Sequence, residues 1–126
     1  HLPADELRRI VASRGLPRYT RNTITDPARL DEELALVRRR GYAVDNEEIM
    51  DGLRCVAAPI RDHTGKVCAA ISVSGPVARL AQERFELAVG LVTGTASAIS
   101  RALGFRATTA SNGDLSGAEG VPVSTA

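Results

Sequence analysis

Aromatic residues are scarce in this 126-residue chain, which has no Trp, two Tyr and two Phe, 3% in all. Leu, Ile, Val and Ala must therefore build the core, and readers that stack bases on aromatic rings, such as RNA-recognition modules, are excluded. Cysteine is equally sparse. Cys55 and Cys68 both lie in apolar runs and belong to no CxxC or Cys/His ligand set, so structural zinc is not expected and free thiols in a reducing compartment are. Charge of one sign is also missing. A net charge of +1 offers little attraction to a phosphate backbone, so this piece is not expected to grip DNA by itself. Lys66 is the single lysine beside fifteen Arg, an excess read as coding background. No apolar run approaches membrane length and no signal-like segment opens the chain. A cytoplasmic protein without membrane contact is the expectation. The start at His1-Leu2-Pro3, without Met, leads us to expect sequence upstream.

What is present, with 44% hydrophobic and 25% charged residues, is material for one globular domain. From Pro3 to Arg14, Leu7, Ile10 and Val11 share a helical stripe, with Asp5 and Glu6 at the positive end of the helix dipole and Gly15 as a stop. Leu16 to Thr25 has turn and loop chemistry. Asp26 then caps and Pro27 opens a second helix carrying Leu30, Leu34 and Val37, ended by Gly41. Its last run, Arg38-Arg39-Arg40, faces the negative end of the dipole, the bland alternative to a nucleic-acid patch. From Gln82 to Leu103 the apolar stripe Phe85, Val89, Val92, Ala96, Ile99 and Leu103 predicts the major helix, capped by Gly104. Gly90, Gly94 and Ser97 follow another edge of it, suited either to a helix-packing seam or to an oligomer contact. Residues 107–126, rich in Ser, Thr, Gly and Ala, read as a tail or linker.

Between these helices the period changes to strand. Tyr42 to Asp45 is short and extended. Leu53 to Arg61 and Lys66 to Ser74 are two Val-, Ile-, Ala- and Cys-rich runs around Asp62-His63-Thr64-Gly65, which predicts an antiparallel hairpin. A two- or four-residue loop would set Arg61 opposite Lys66, Cys55 opposite Ser72 and Leu53 opposite Ser74. One face then carries Leu53, Cys55, Ala57, Ala70, Ser72 and Ser74, and the other Val56, Ala58, Ile60, Val67, Ala69, Ile71 and Val73. The second suits packing on helices. The first is small and mildly polar, suited either to a ligand cavity or to a solvated face. A three-residue loop would shift the register by one, place Cys55 beside Val73 and dissolve the small face.

The string Arg40-Gly41-Tyr42-Ala43-Val44-Asp45-Asn46-Glu47-Glu48, then Gly52-Leu53-Arg54-Cys55-Val56-Ala57-Ala58-Pro59-Ile60, then Ile71-Ser72-Val73-Ser74-Gly75-Pro76 with Arg79-Leu80, resembles the effector-binding domain of the IclR family of bacterial transcriptional regulators. The match runs from about Leu2 to Leu103. It implies a GAF-like α/β (α+β) fold, an antiparallel sheet flanked by helices, over residues 1–106. It also implies binding of a small organic or aromatic acid, dimers or tetramers, and DNA contact only through an N-terminal winged helix-turn-helix that this chain lacks. Effector-contacting positions of the family fall on Asp45, Leu53, Cys55, Ser72 and Ser74. Asn46 stands where an acidic residue is frequent. The first part of the effector domain, with further strands and an apolar pocket wall, is also missing, so strand edges and an apolar face should be left uncovered.

An enzyme would need a different constellation. His63 lies in the hairpin turn, several residues from Cys55, too far for a nucleophile–base pair. Asp45, Glu47 and Glu48 have no matching His ligands and read as a solvated acidic loop. No cofactor, no metal and no catalytic residue is expected. A purely structural dimerisation piece, using Gly90 and Gly94, is the remaining alternative.

Overall fold

The computed structural model describes residues 1–106, so the expected tail at 107–126 lies outside the described residues. The order is α1 (Ala4–Arg14), α2 (Pro27–Arg40), β1 (Ala43–Asn46), β2 (Leu53–Arg61), β3 (Val67–Pro76) and α3 (Gln82–Ala102), an α+β arrangement. The three strands form one antiparallel sheet in the order β1-β2-β3. At α2, Asp26 accepts the Ala28 N–H at 2.9 Å and Pro27 occupies the first turn, which satisfies a donor that has no partner inside the helix. The described part of α3 ends at Ala102, one residue before the expected Leu103.

The hairpin departs from the expected pairing twice. Asp62 donates its N–H to the Lys66 carbonyl at 3.0 Å, so the loop has three residues, with Gly65 at φ +85°. That conformation suits the last residue of a three-residue hairpin loop and disfavours a side chain. Arg61 accordingly faces Val67 rather than Lys66. A second irregularity follows at once, because Ile60 faces Ala69 and Cys68 is left as the extra residue of a β-bulge. The two single-residue shifts add, so Cys55 faces Ser74, Ala57 faces Ser72 and Leu53 faces Pro76. From Ala69 onward partners move by two positions, and a shift of two keeps those side chains on their expected faces. Val67, beyond the bulge, pairs with Arg61 and leaves the apolar set assigned to it.

The core lies between that apolar face and α3. Val56 (0% exposed), Ala58 and Ile60 of β2 meet Ala88, Val92 and Ala96, with Tyr42, Ile71, Leu80, Phe85, Val89 and Ile99 partly buried around them. Each fully buried branched side chain contributes about 1.5–3 kcal/mol. Ser100 continues the buried line of α3 where Leu103 was expected, and Leu103 is 48% exposed. The serine is there for the sheet: its hydroxyl accepts the Arg61 N–H at 2.9 Å beside the register shift and donates to the Ala96 carbonyl at 2.7 Å. α3 lies mainly over β2, so Ala69 and Val73 of the β3 edge stay exposed. No residue of α1 or α2 is fully buried. The expected uncovered strand edge and apolar surface are therefore present among the described residues.

Candidate functional site

The sheet register brings the five expected site residues together on the face turned away from α3. Asp45 of β1 faces Cys55 of β2, which faces Ser74 of β3, giving one row across all three strands. Ala43, Ala57 and Ser72 form the next row on that face, and Leu53 flanks the first. With strands about 4.8 Å apart and alternate residues about 6.7 Å apart along a strand, the patch spans roughly 10 by 7 Å. Its side chains are short. Cys55 and Leu53 are half-buried, and Ser72 and Ser74 are exposed. Among the described residues neither serine hydroxyl has a hydrogen-bond partner, so both remain able to donate.

Asp45 is held differently. Its Oδ1 accepts the Glu48 N–H at 2.8 Å, closing a local turn in the loop between β1 and β2. Glu47 in that loop has φ +62°, a conformation costly for a side chain larger than glycine. Three contacts stabilise it: its N–H bonds the Leu53 carbonyl at 2.9 Å, its carboxylate accepts the Gly52 N–H at 2.7 Å, and its carbonyl accepts the Thr20 hydroxyl at 2.6 Å. The Thr23 hydroxyl donates to the Glu48 carbonyl, and Asn22 Nδ2 reaches the Asn46 carbonyl at 3.0 Å. Thr20 itself is buried.

Sequence reasoning assigned Leu16 to Thr25 only as loop and missed this clamp. The one signal was the Thr-x-x-Thr spacing of Thr20 and Thr23, which says nothing about a carbonyl 27 residues away. Burial, then the negative charges of Asp45 and Glu33, push the Glu48 carboxyl above its ordinary value, partly countered by the Asn46 backbone. The acidic stretch is therefore a folded, clamped loop, in which Asp45, Glu47 and Glu48 are half-buried and Asn46, Ile49, Met50 and Asp51 are exposed.

Besides a cleft of about 400 Å³ bounded by Glu33, Arg40, Arg54 and Phe85, which reaches Asn46 and Glu48, two more adjoin the loop. One of about 340 Å³, bounded by Leu16, Tyr19, Ile24 and Ile49, opens beside Asp45. The other, about 370 Å³ and polar, is bounded by Arg18, Arg21 and Arg29 and includes none of the five residues. Arg40 of the basic run is engaged inside the fold: it pairs with Glu33 at 2.7 Å and stacks over the Tyr42 ring. Both cysteines are free thiols. No group of three or more His, Cys, Asp or Glu side chains able to hold a metal ion occurs among the described residues, and none of the described helices is long and apolar enough to cross a membrane.

Known proteins show the same organisation. The chain is 45% identical over 105 residues to the HTH-type transcriptional repressor AllR of Klebsiella pneumoniae, covering 83% of this chain and 39% of that relative. Among solved structures, Thermotoga maritima IclR superposes with a TM-score of 0.75 at 41% identity, covering 82% of this chain and 42% of that one. The inducer-binding domain of a double mutant of the Acinetobacter transcription factor PobR, solved with 3-hydroxybenzoic acid, gives 0.73 at 26% identity, covering 79% and 57%. The chain thus spans about two fifths of the length of the curated relative. AllR and PobR are named as a transcriptional repressor and a transcription factor, and the solved structures share the α+β arrangement of this chain. The family model for the bacterial transcriptional regulator IclR C-terminal region matches residues 1–101, and to that family this chain belongs.

Proposed function

We propose that this chain is the ligand-sensing part of a bacterial transcriptional regulator, with a small organic or aromatic acid binding across Asp45, Leu53, Cys55, Ser72 and Ser74. The observation that carries the reading is the single row Asp45–Cys55–Ser74 on the open face, with two serine hydroxyls on its β3 side that have no partner among the described residues. Ser72 and Ser74 donate to the ligand carboxylate. Cys55 and Leu53 form the floor, a small polarisable surface with one apolar wall. An ionised Asp45 repels a carboxylate, so it takes the opposite end of the ligand, accepting from a hydroxyl through the oxygen that Glu48 leaves free. A hydroxy acid of a few carbons matches the roughly 10 Å between the row's ends. The PobR inducer-binding domain, solved with a hydroxybenzoic acid, supports this ligand class.

Binding acts through differential affinity for two arrangements of a cytoplasmic dimer or tetramer, passed to DNA by an N-terminal winged helix-turn-helix outside this chain. The test is calorimetric titration of wild type and the Ser72→Ala/Ser74→Ala double variant with a panel of small carboxylates, 3-hydroxybenzoate included. Hydrogen bonds to a charged group contribute about 1.5–3 kcal/mol each, so the double variant should bind at least ~10-fold more weakly. Unchanged affinity for a ligand that wild type binds would remove the serines from the site.

A further inference from the structure

Three arginines, Arg18, Arg21 and Arg29, line the polar cleft of about 370 Å³ beside the loop between β1 and β2. None of them is spent on a carboxylate, since the single ion pair among the described residues is Glu33–Arg40. Two carboxylates share the cleft, Asp26 and Glu48. Asp26 is engaged as the cap of α2, accepting the Ala28 N–H, and burial pushes the Glu48 carboxyl above its ordinary value. Positive charge is therefore in excess around one concave space, which favours an occupant of the opposite sign.

Part of this arrangement is fixed in advance. Arg18 Nη1 donates to the Thr20 and Arg21 carbonyls at 3.3 and 3.2 Å, and its Nη2 donates to the Thr25 hydroxyl at 3.0 Å. Those bonds hold its charge in place and leave it an Nε–H and a second Nη2 hydrogen. The Thr25 hydroxyl, accepting from Arg18, keeps its own proton to donate. On either side of Arg21, the Thr20 and Thr23 hydroxyls bond the Glu47 and Glu48 carbonyls, so the backbone carrying that arginine is pinned. Arg21 and Arg29 are exposed, and among the described residues their side chains bond nothing, which leaves both able to close on a ligand. An occupant that engages all three arginines needs several acceptor oxygens and more than one negative charge. A monocarboxylate has two oxygens and one charge. A phosphate monoester has three oxygens, carries close to two charges, and takes the planar fork of arginine two bonds at a time. The cleft lies near the lower end of the range for small-molecule sites, and a net charge of +1 does not favour a nucleic-acid backbone. We propose that this cleft binds a small phosphate-bearing metabolite, its phosphate oxygens held by Arg18, Arg21, Arg29 and the Thr25 hydroxyl, at a site separate from the Asp45–Cys55–Ser74 row.

Calorimetric titration of the whole chain with glycerol 3-phosphate, inorganic phosphate and acetate at constant ionic strength tests it. Both phosphates should bind saturably, the ester more tightly, and acetate should give no response at this site. Arg21→Gln and Arg29→Gln should each weaken binding of glycerol 3-phosphate at least ~10-fold, with thermal melting unchanged because neither side chain holds the fold. Arg84→Gln, at an exposed arginine of α3 outside the cleft, should bind as wild type does. So should Ser72→Ala/Ser74→Ala, which distinguishes this site from the acid site on the open face. No response to either phosphate, a preference for inorganic phosphate over the ester, or a response that acetate reproduces would overturn the proposal. So would affinity that survives both arginine variants, an equal loss on Arg84→Gln, or a loss with the two serines. A short DNA duplex that binds more tightly than the ester and is released by the same arginine variants would assign the cleft to nucleic acid instead.

Discussion

The two faces of the sheet are made of alternating residues of the same strands, yet they have opposite fates. Val56, Ala58 and Ile60 are buried under α3, whereas Cys55 and Ala57, one step away along the chain, and Ser74, opposite Cys55 on β3, stay accessible. On the first face Val56 and Ile60 are branched and buried, so removing their atoms leaves a void that the surroundings fill only in part. On the second they are small, and among the described residues the two serine hydroxyls have no protein partner to lose. One face therefore stores the stability and the other is free for recognition, so mutations on the two should separate cleanly in what they change.

The largest expected effect breaks the packed side. Val56→Ala should destabilise the fold by about 2 kcal/mol or more, read as a lower urea midpoint with unchanged slope, whereas Cys55→Ala on the open side should stay within about 0.5 kcal/mol. Equal losses from the two would erase the distinction between the faces. Next comes the link between helix and sheet. Ser100→Ala keeps the size of the site but orphans the Arg61 N–H at the register shift, at a cost of about 1–3 kcal/mol. A variant as stable as wild type would show that water substitutes for the hydroxyl.

A smaller effect, about 1 kcal/mol, is expected from Thr20→Val, which removes the hydroxyl that bonds the Glu47 carbonyl. Here the comparison is sharpened rather than broken. The clamp holds the loop that anchors Asp45, so affinity for a bound hydroxy acid should fall together with stability, unlike at Val56, where the folded fraction should bind normally. Titration at a temperature where both variants are folded distinguishes the two.

How much of this was legible follows from what each feature depends on. The α2 cap at Asp26-Pro27 and the two-faced hairpin are local, carried by residues close in sequence, and they were readable as such. The buried serine of α3 was not, because Ser100 is explained only by an N–H 39 residues away. The Thr20–Glu47 clamp failed for the same reason. The hairpin register is the instructive case. Gly65 made a three-residue loop possible, and that loop alone would have mixed Cys55 with Val73. The bulge at Cys68 restored the alternation, and a bulge has no reliable mark in a run as uniform as Val67 to Ile71. Ser72 and Ser74 share a face with Leu53 and Cys55 because two local deviations combine to an even shift.

The smallest expected effect tests that turn. The carboxylate of Asp62 accepts the Thr64 hydroxyl at 2.6 Å, the Thr64 N–H at 2.8 Å and the Lys66 N–H at 3.2 Å. The Thr64 bonds chiefly hold its pKa below the ordinary aspartate value of 3.8. Because the folded value is depressed, the contribution to stability is fully present above the unfolded pKa and is lost as pH falls through the folded one. Asp62→Asn keeps one carbonyl acceptor and abolishes the titration. Thermal midpoints of wild type and variant should therefore differ modestly at pH 7 and draw together as the pH is lowered well below 4. A constant gap down to acid pH would mean that the carboxylate charge does not hold the turn, and that the register separating the two faces rests on Gly65 and the bulge alone.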